Sequence, residues 1–190
     1  INGKKISEAS AEVPIHYPKP GIVEQDSHDF YATAALTVKS CIEQSGIDPR
    51  DIAAIAFDSQ MAGVGLVDEL LQPVTRFDSW LDMRCQPYIE WIDKDYGDRV
   101  TKLTGCPPTC DHGPKMLWWK NEQPETYKRT AKFVMPGTYV AGQMAGLTAE
   151  QAWALGQNLP ITDEDGNTFD VGTQGKYSRG YSRGGHGGGS

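Results

Sequence analysis

The first clear pattern of apolar and polar residues lies between positions 26 and 46. Apolar side chains recur there at the three- and four-residue spacing of one helix face. They are Phe30, Ala34, Val38, Cys41 and Ile42. Asp26 is placed to cap the first turn, and Gly46 suits the left-handed residue that ends many helices. The pattern therefore predicts an amphipathic helix between these two residues.

Two shorter stretches are typical of strands. Residues 6–15 alternate loosely and run into the proline-rich segment 16–21, which predicts a strand followed by an exposed loop. Residues 52–57 form an apolar run ahead of a polar turn, as a buried strand does, although periodicity alone does not distinguish it from a helix. Asp48 and Pro49, just before this run, offer a helix cap with proline at the first helical position.

Helical patterns dominate the rest of the chain up to Gly156. Prolines open several of them, and residues 148–151 form a capping box for a helix that ends at Gly156. A short strand is expected near residues 132–135. Strands that alternate with helices in this way predict an α/β domain. We predict helices at about the following ranges: 86–96, 98–104, 114–122, 124–131, and one from Pro136.

The character of the chain changes after Pro160. Residues 168–173 have the sequence Thr-Phe-Asp-Val-Gly-Thr, which predicts a short strand that ends in a glycine-rich turn. Residues 176–190 are dominated by glycine and cannot bury a core, so we expect a flexible tail or a linker. Arginine-glycine segments also bind single-stranded nucleic acid. Arg179 and Arg183 alone are weak support for that function.

Composition narrows the class of protein. The chain has 190 residues, 38% hydrophobic and 23% charged, which suits one globular domain. No apolar run approaches the roughly 20 residues that span a bilayer, and the first residues lack the apolar core of a secretory signal. The formal charge of −7 argues against binding to nucleic acid. We expect a cytoplasmic protein whose partner is a small molecule, with no membrane partner.

The cysteines do not form a spacing pattern that indicates disulfides. They lie at positions 41, 85, 106 and 110. Cys106, Cys110 and His112 offer ligand types that zinc prefers, but three residues between the cysteines is not the usual spacing. The alternative is that these residues belong to a loop that faces the core.

Six segments occur in the order and spacing of a known family. They are Tyr17–Asp26, Gly46–Pro49 with Ile52–Ile55, Gln60–Gly63, Trp80–Arg84, Leu103–Thr109 and Pro114–Glu122. Together they resemble the sugar-binding half of the FGGY carbohydrate kinases, the group that contains xylulokinase, gluconokinase, ribulokinase and glycerol kinase. The resemblance covers residues 1 to about 150.

The resemblance implies a fold and a binding site. The fold would be one lobe of the actin-like, ribonuclease H-like ATPase fold, of α/β class, with a mixed sheet flanked by helices. In this family the sugar lies between that lobe and a second lobe that binds ATP. The implied substrate-binding residues are Gln60, Met61, Ala62, Trp80, Asp82 and Arg84.

These residue types suit a polyol. An amide, a carboxylate and a guanidinium can bracket hydroxyl groups by hydrogen bonds, while a thioether or an indole covers an apolar face. In the alternative interpretation Asp82 and Arg84 are a surface pair and Trp80 belongs to the core. Trp118 and Trp119, in the helix that contains Lys115, are interpreted as core or lobe-interface residues.

The opening strand of the family, with its Asp-x-Gly-Thr turn, would precede residue 1. The segment around Asp170 matches that turn, which implies a magnesium-side carboxylate at Asp170 and a phosphate turn at Gly172 and Thr173. A chance match of so short a motif is the alternative. We divide the chain into a partial lobe (1–158), a displaced strand with a phosphate-type turn (159–175) and a flexible tail (176–190).

The resemblance leaves the catalytic base unassigned. In the family it is an aspartate of a later motif, and Asp163 and Asp165 lie in that region without the motif around them. We expect a sugar or polyol as the substrate, and Mg²⁺ and ATP as cofactor and co-substrate of the complete kinase. A separate ATP-binding lobe or a second copy of the chain would be needed for activity. The alternatives are a non-catalytic sugar-binding or interaction domain, or an engineered fragment.

Overall fold

The computed structural model describes residues 3–155. The first half contains two strands, a long helix and two further short strands: β1 (His16–Lys19), β2 (Ile22–Gln25), α1 (Ser27–Ser45), a 3-10 turn at Pro49–Asp51, β3 (Gly65–Val67) and β4 (Phe77–Asp78). The second half is mainly helical: α2 (Gln86–Thr104), α3 (His112–Glu122), α4 (Pro124–Arg129), β5 (Lys132–Val134), α5 (Pro136–Ala145) and α6 (Ala149–Leu155).

The strands form two small sheets. β2 lies between β1 and β4, and β3 pairs with β5. Every strand pairing between residues 3 and 155 is antiparallel. An isolated bridge between Val64 and Asp78 connects the two sheets. The sheets therefore meet at the segments that enter β3 and leave β4.

Helix α1 has the ends that the sequence predicts. The Asp26 side chain accepts a hydrogen bond from the backbone N–H of His28, and Gly46 adopts a left-handed conformation with φ of 64°. An oxygen acceptor at the first turn and a glycine after the last one satisfy backbone groups that the helix leaves unpaired. Pro49 likewise begins a helical turn, with Asp48 as its cap.

The buried apolar residues form two clusters. One contains Phe30 of α1, Phe77 of β4 and Tyr139 of α5, so it joins both ends of the described chain. The other contains Leu66 of β3, Met116 of α3 and Phe133 of β5. Both clusters pack helices against strands, and the predicted α/β class is confirmed.

The first strand differs from the prediction. β1 occupies residues 16–19 instead of 6–15. A tight turn at Gly21, with φ of 78°, lets residues 16–19 fold back on β2. Two strands that are joined by a short turn lie next to each other and can pair directly. Residues 3–15 belong to no strand. The segment predicted as a loop is therefore a hairpin.

The prediction of a buried strand over residues 52–57 is wrong. The segment belongs to no strand, and its side chains are exposed, with Ile55 at 55% and Phe57 at 43%. Strand structure requires hydrogen bonds to a neighbouring chain segment, and no strand within residues 3–155 pairs with this run. An apolar composition alone does not supply that partner.

The helix ranges also need one correction. Residues 86–96 and 98–104 form the single helix α2, because Gly97 continues the helix instead of interrupting it. Glycine inside a helix costs only about 1 kcal/mol relative to alanine.

Between residues 3 and 155, no helix is both long and apolar enough to cross a membrane. The division into three parts stays a prediction, since residues 156–190 lie outside the described ones.

Candidate functional site

Two loops meet where the sheets join, and a lysine connects them. The backbone groups of Val64 and Asp78 exchange hydrogen bonds of 3.0 and 2.9 Å. Lys115 of α3 donates from Nζ to the carbonyl oxygens of Ala62, at 2.9 Å, and Ser79, at 2.6 Å. The Lys115 side chain is completely buried. The loop of residues 60–63 and the loop of residues 79–84 are thus held side by side.

The 60–63 loop has a constrained backbone. Ala62 adopts a left-handed conformation with φ of 62°, which is unusual for a residue with a side chain. A Cβ atom on Gly63 would lie 2.4 Å from Phe77 Cζ, so only glycine fits there. Gln60 Nε2 donates to Gln25 Oε1 at 2.8 Å, and the Met61 side chain is 51% exposed. The loop therefore presents Met61 to solvent from a fixed backbone.

The 79–84 loop divides its side chains between solvent and interior. Trp80 and Met83 are exposed, at 55% and 43%, whereas Asp82 is completely buried. Asp82 Oδ2 accepts a hydrogen bond from the Val23 N–H at 2.8 Å. Its Oδ1 accepts from the backbone N–H and the Nε–H of Arg84, at 3.0 and 2.9 Å. Both carboxylate oxygens are therefore bonded to the protein itself.

Arg84 is enclosed by acidic and aromatic groups. Its Nη2 donates to Asp82 Oδ2 and to Glu24 Oε1, each at 2.8 Å. Its guanidinium carbon lies 5.1 Å from the Trp118 ring centre and 5.4 Å from that of Trp119. Cations stack favourably on aromatic faces at such distances.

These contacts correct the alternative interpretation of the tryptophan segment. Asp82 and Arg84 are not a surface pair, because they bond to each other in the interior. Trp80, which that alternative assigned to the core, is exposed. The burial of Trp119 agrees with its prediction as a core residue. The role of the six predicted residues in binding a sugar stays a prediction.

Asp78 is a buried acidic residue next to Arg84 that was not among the predicted site residues. It is completely buried, and Trp119 Nε1 donates to its Oδ2 at 2.6 Å. Its Oδ1 lies 3.4 Å from Arg84 Nη2 and has no hydrogen bond. Burial raises the pKa of Asp78 to about 7, against the lowering effect of the Arg84 charge.

Lys115 and Asp78 were missed by sequence reasoning, although Lys115 carried a signal. It is followed by the apolar run Met116–Trp119 within one helix. A lysine in such a run is seldom buried without a dedicated partner. Asp78 carried no comparable signal, since an aspartate after an apolar residue is common in turns.

A cavity of about 330 Å³ lies beside Gln60. Its apolar lining includes Val13, Phe30 and Val140, and its polar lining comes from Gln25 and residues 58–60. A second cavity, of about 190 Å³, has an apolar lining that includes Ile92 and Pro114. The cavity beside Gln60 is within the size range of small-molecule sites.

The described residues include the possible zinc ligands but not the predicted phosphate-binding residues. Among residues 3–155, no group of three or more histidine, cysteine or acidic side chains is arranged to hold a metal, so Cys106, Cys110 and His112 do not form a zinc site. The Asp111 carboxylate caps α3 and pairs with His112 instead. Asp170, Gly172 and Thr173 lie outside the described residues.

The fold is shared with solved sugar kinases. Gluconate kinase from Lactobacillus acidophilus superposes with a TM-score of 0.68 at 23% identity, covering 75% of this chain and 29% of that one. A xyloylose kinase from Brucella ovis superposes with a TM-score of 0.65 at 20% identity, covering 82% of this chain and 30% of that one. The fold is therefore one lobe of an actin-like ATPase, as the sequence implied.

The chain belongs to the FGGY family of carbohydrate kinases, whose N-terminal domain model matches residues 1–154. The xylulose kinase of Bacillus subtilis is 31% identical over 147 residues, which are 77% of this chain and 30% of that protein. The glycerol kinase of Roseobacter denitrificans is 37% identical over 101 residues, 52% of this chain and 20% of that protein. The chain thus spans about a third or less of the length of these relatives.

Replacing Lys115 with methionine tests the connection between the loops. We expect Lys115→Met to lower the free energy of unfolding by about 3 kcal/mol, because two buried carbonyl groups and buried acids lose their cation. Denaturant unfolding gives the value. Lys94→Met on the exposed face of α2 is the control and should change it by less than about 0.5 kcal/mol. If Lys115→Met and Lys94→Met lowered the free energy of unfolding equally, Lys115 would not hold the two loops together.

The pKa of Asp78 predicts a dependence of stability on pH. Because the folded pKa of about 7 lies above the ordinary aspartate pKa of 3.8, the contribution of Asp78 is fully present below pH 3.8 and is lost as pH rises to about 7. The difference in unfolding free energy between wild type and Asp78→Asn should fall with pH across this window, by at most about 1.4 kcal/mol per unit, and level off above it. Parallel pH profiles of the two proteins would contradict this assignment.

Proposed function

We propose that the chain is the sugar-binding part of an ATP-dependent carbohydrate kinase, which transfers the γ-phosphate of ATP to a hydroxyl group of a sugar or polyol. Membership of the FGGY family supports the substrate class. The observation that carries the proposal is the pair of loops held together by Lys115, since they place exposed and polar side chains on one rigid edge. Phosphoryl transfer depends mainly on such positioning.

We propose that the sugar contacts the exposed parts of these loops. Gln60 supplies an amide beside the cavity, and Met61 and Trp80 supply apolar surface that can cover a sugar ring. Ala62 contributes through its left-handed backbone, which sets the direction of the loop. Asp82 and Arg84 are positioning residues in this proposal. They hold the backbone that carries Trp80 and do not touch the sugar.

The residues of this chain would bind and orient the acceptor hydroxyl. ATP with Mg²⁺ would supply the phosphoryl group and its charge neutralisation. Residues 3–155 contain no assembled metal group, so we assign no metal ligand among them. No general base is assigned either. A kinase that uses cellular ATP would act in the cytoplasm, which is the location we propose.

We also propose that residues 168–173 form the phosphate turn of the complete site, with Asp170 beside the magnesium and Gly172 and Thr173 at the phosphates. The motif Asp-x-Gly-Thr supports this assignment, since glycine-rich turns present backbone N–H groups to phosphate oxygens.

A titration with sugars tests the main proposal. We expect isothermal titration calorimetry of the 190-residue chain with pentoses, hexoses and polyols to detect at least one ligand. Trp80→Ala should weaken that binding by about 1–2 kcal/mol without changing the free energy of unfolding, since the indole is largely exposed. The control is Trp91→Ala, because Trp91 is similarly exposed but lies on α2. An unchanged affinity for Trp80→Ala would remove that residue from the site. Absence of any sugar ligand would overturn the function.

The phosphate turn has a separate test. We expect the chain to bind MgATP weakly, and Asp170→Asn to reduce the affinity at least about tenfold, because the variant loses the carboxylate that faces the cation. Asp165→Asn is the control, as it removes one charge from the same region. If both variants bind like wild type, or if wild type does not bind, the assignment of Asp170 is wrong.

A further inference from the structure

Two thiols face each other next to the loop of residues 79–84. The Sγ atoms of Cys85 and Cys110 are 3.5 Å apart, and both cysteines are free. Cys85 directly precedes α2, and Cys110 directly precedes Asp111, the cap of α3. The two residues are 25 positions apart in the sequence. The pair therefore lies at the adjacent starts of two packed helices.

The two sulfurs differ in access. Cys85 is completely buried, whereas Cys110 is only partly buried. A dissolved reagent thus meets Cys110 first, and the sulfur of Cys85 is within contact distance behind it. In cysteine pairs that oxidise reversibly, one thiol is accessible and a second thiol lies beside it. This pair has that arrangement.

The surroundings of Cys110 also favour its thiolate. The hydrogen bond between the two thiols lowers the pKa of Cys110, and the Lys115 charge acts in the same direction. The same hydrogen bond and burial raise the pKa of Cys85. Cys110 also donates to the Asp82 carbonyl oxygen at 2.7 Å, which favours the thiol. Burial of Cys110 opposes the lowering, and so do the nearby carboxylates of Asp82 and Asp111.

We propose that Cys85 and Cys110 form a reversible oxidation site, in which a hydroperoxide oxidises Cys110 and Cys85 then closes a disulfide. A disulfide bond is about 2.0 Å long. The sulfur atoms, now 3.5 Å apart, would need to approach by about 1.5 Å to form it. Nothing in the sugar-binding role requires either thiol.

The chemistry balances in two steps. The Cys110 thiolate attacks the terminal oxygen of the hydroperoxide, the O–O bond breaks, and an alcohol leaves after taking up a proton, so that Cys110 becomes a sulfenic acid. The Cys85 sulfur then attacks the Cys110 sulfur. The S–O bond breaks, and the leaving hydroxide takes the Cys85 proton and departs as water. A small thiol reverses the reaction by disulfide exchange.

The disulfide would act on the loop of residues 79–84. It would join the residue after Arg84 to the residue before the cap of α3. The oxidised Cys110 has no proton to donate to the Asp82 carbonyl oxygen, so that oxygen would lose a hydrogen bond that it has in the reduced protein. Oxidation would thus link the starts of α2 and α3 covalently. It would also remove the hydrogen bond that the Asp82 carbonyl oxygen of the loop accepts from Cys110.

The experiment uses the 190-residue chain with Cys41→Ser and Cys106→Ser, so that only Cys85 and Cys110 remain. Hydrogen peroxide is added, remaining thiols are alkylated, and the intact mass and proteolytic peptides are measured. We expect a mass lower by two hydrogen atoms, a peptide that links residues 85 and 110, and full recovery of both thiols with dithiothreitol. Adding Cys85→Ser should leave Cys110 trapped by a sulfenic-acid reagent, while adding Cys110→Ser should leave Cys85 unmodified.

Wild-type chain supplies a second measurement that depends on no buried substitution. Under the same treatment, the linked peptide should join Cys85 to Cys110 and not involve Cys106, which is exposed. The proposal is overturned if both thiols stay free at peroxide concentrations that oxidise Cys106, or if Cys110 pairs with Cys106. Equal trapping of sulfenic acid at Cys85 and Cys110 would also overturn it, because burial should protect Cys85.

Discussion

The buried bond between Arg84 and Asp82 is the interaction on which the rest of this site depends. Taking either charge out of water alone is very unfavourable, so each side chain requires the other and the surrounding donors. Glu24 of β2 and the indole rings of α3 complete the enclosure of the guanidinium. Because Asp82 also accepts from the Val23 N–H, this one pair ties the loop after β4 to the central strand. Loss of either partner would leave an unpaired charge inside the fold.

The same interaction determines which side chains reach solvent. With Asp82 and Arg84 turned inward, Trp80 and Met83 are turned outward. Lys115 then brings the neighbouring loop alongside by holding two backbone carbonyl groups. The left-handed Ala62 is an unfavourable conformation that persists because the surrounding contacts fix it. The two loops are therefore held by contacts within the protein itself, which in the proposed function would lower the entropic cost of binding a ligand.

The sequence predicted features whose cause is local. The ends of α1 follow from Asp26 and Gly46, since a cap needs only one suitable side chain or a flexible backbone. Features that depend on distant partners were not predictable from pattern. Residues 52–57 have the composition of a buried strand but lack a pairing partner among the described residues. The inward position of Asp82 depends on Val23, 59 residues earlier, and no spacing in the sequence reveals that contact.

In the proposed function, sugar specificity would therefore lie apart from the charged residues of this lobe. Asp82 and Arg84 have their charges satisfied inside the protein, so they cannot be altered to suit a new hydroxyl pattern without a loss of stability. Exposed positions such as Met61 and Trp80 can change at little cost to stability, because they contribute little to either core cluster. Discrimination between pentoses, hexoses and smaller polyols depends on the shape and polarity of a few contacts. A fixed charged interior with a variable exposed edge would, in the proposed function, allow one fold to accept different sugars.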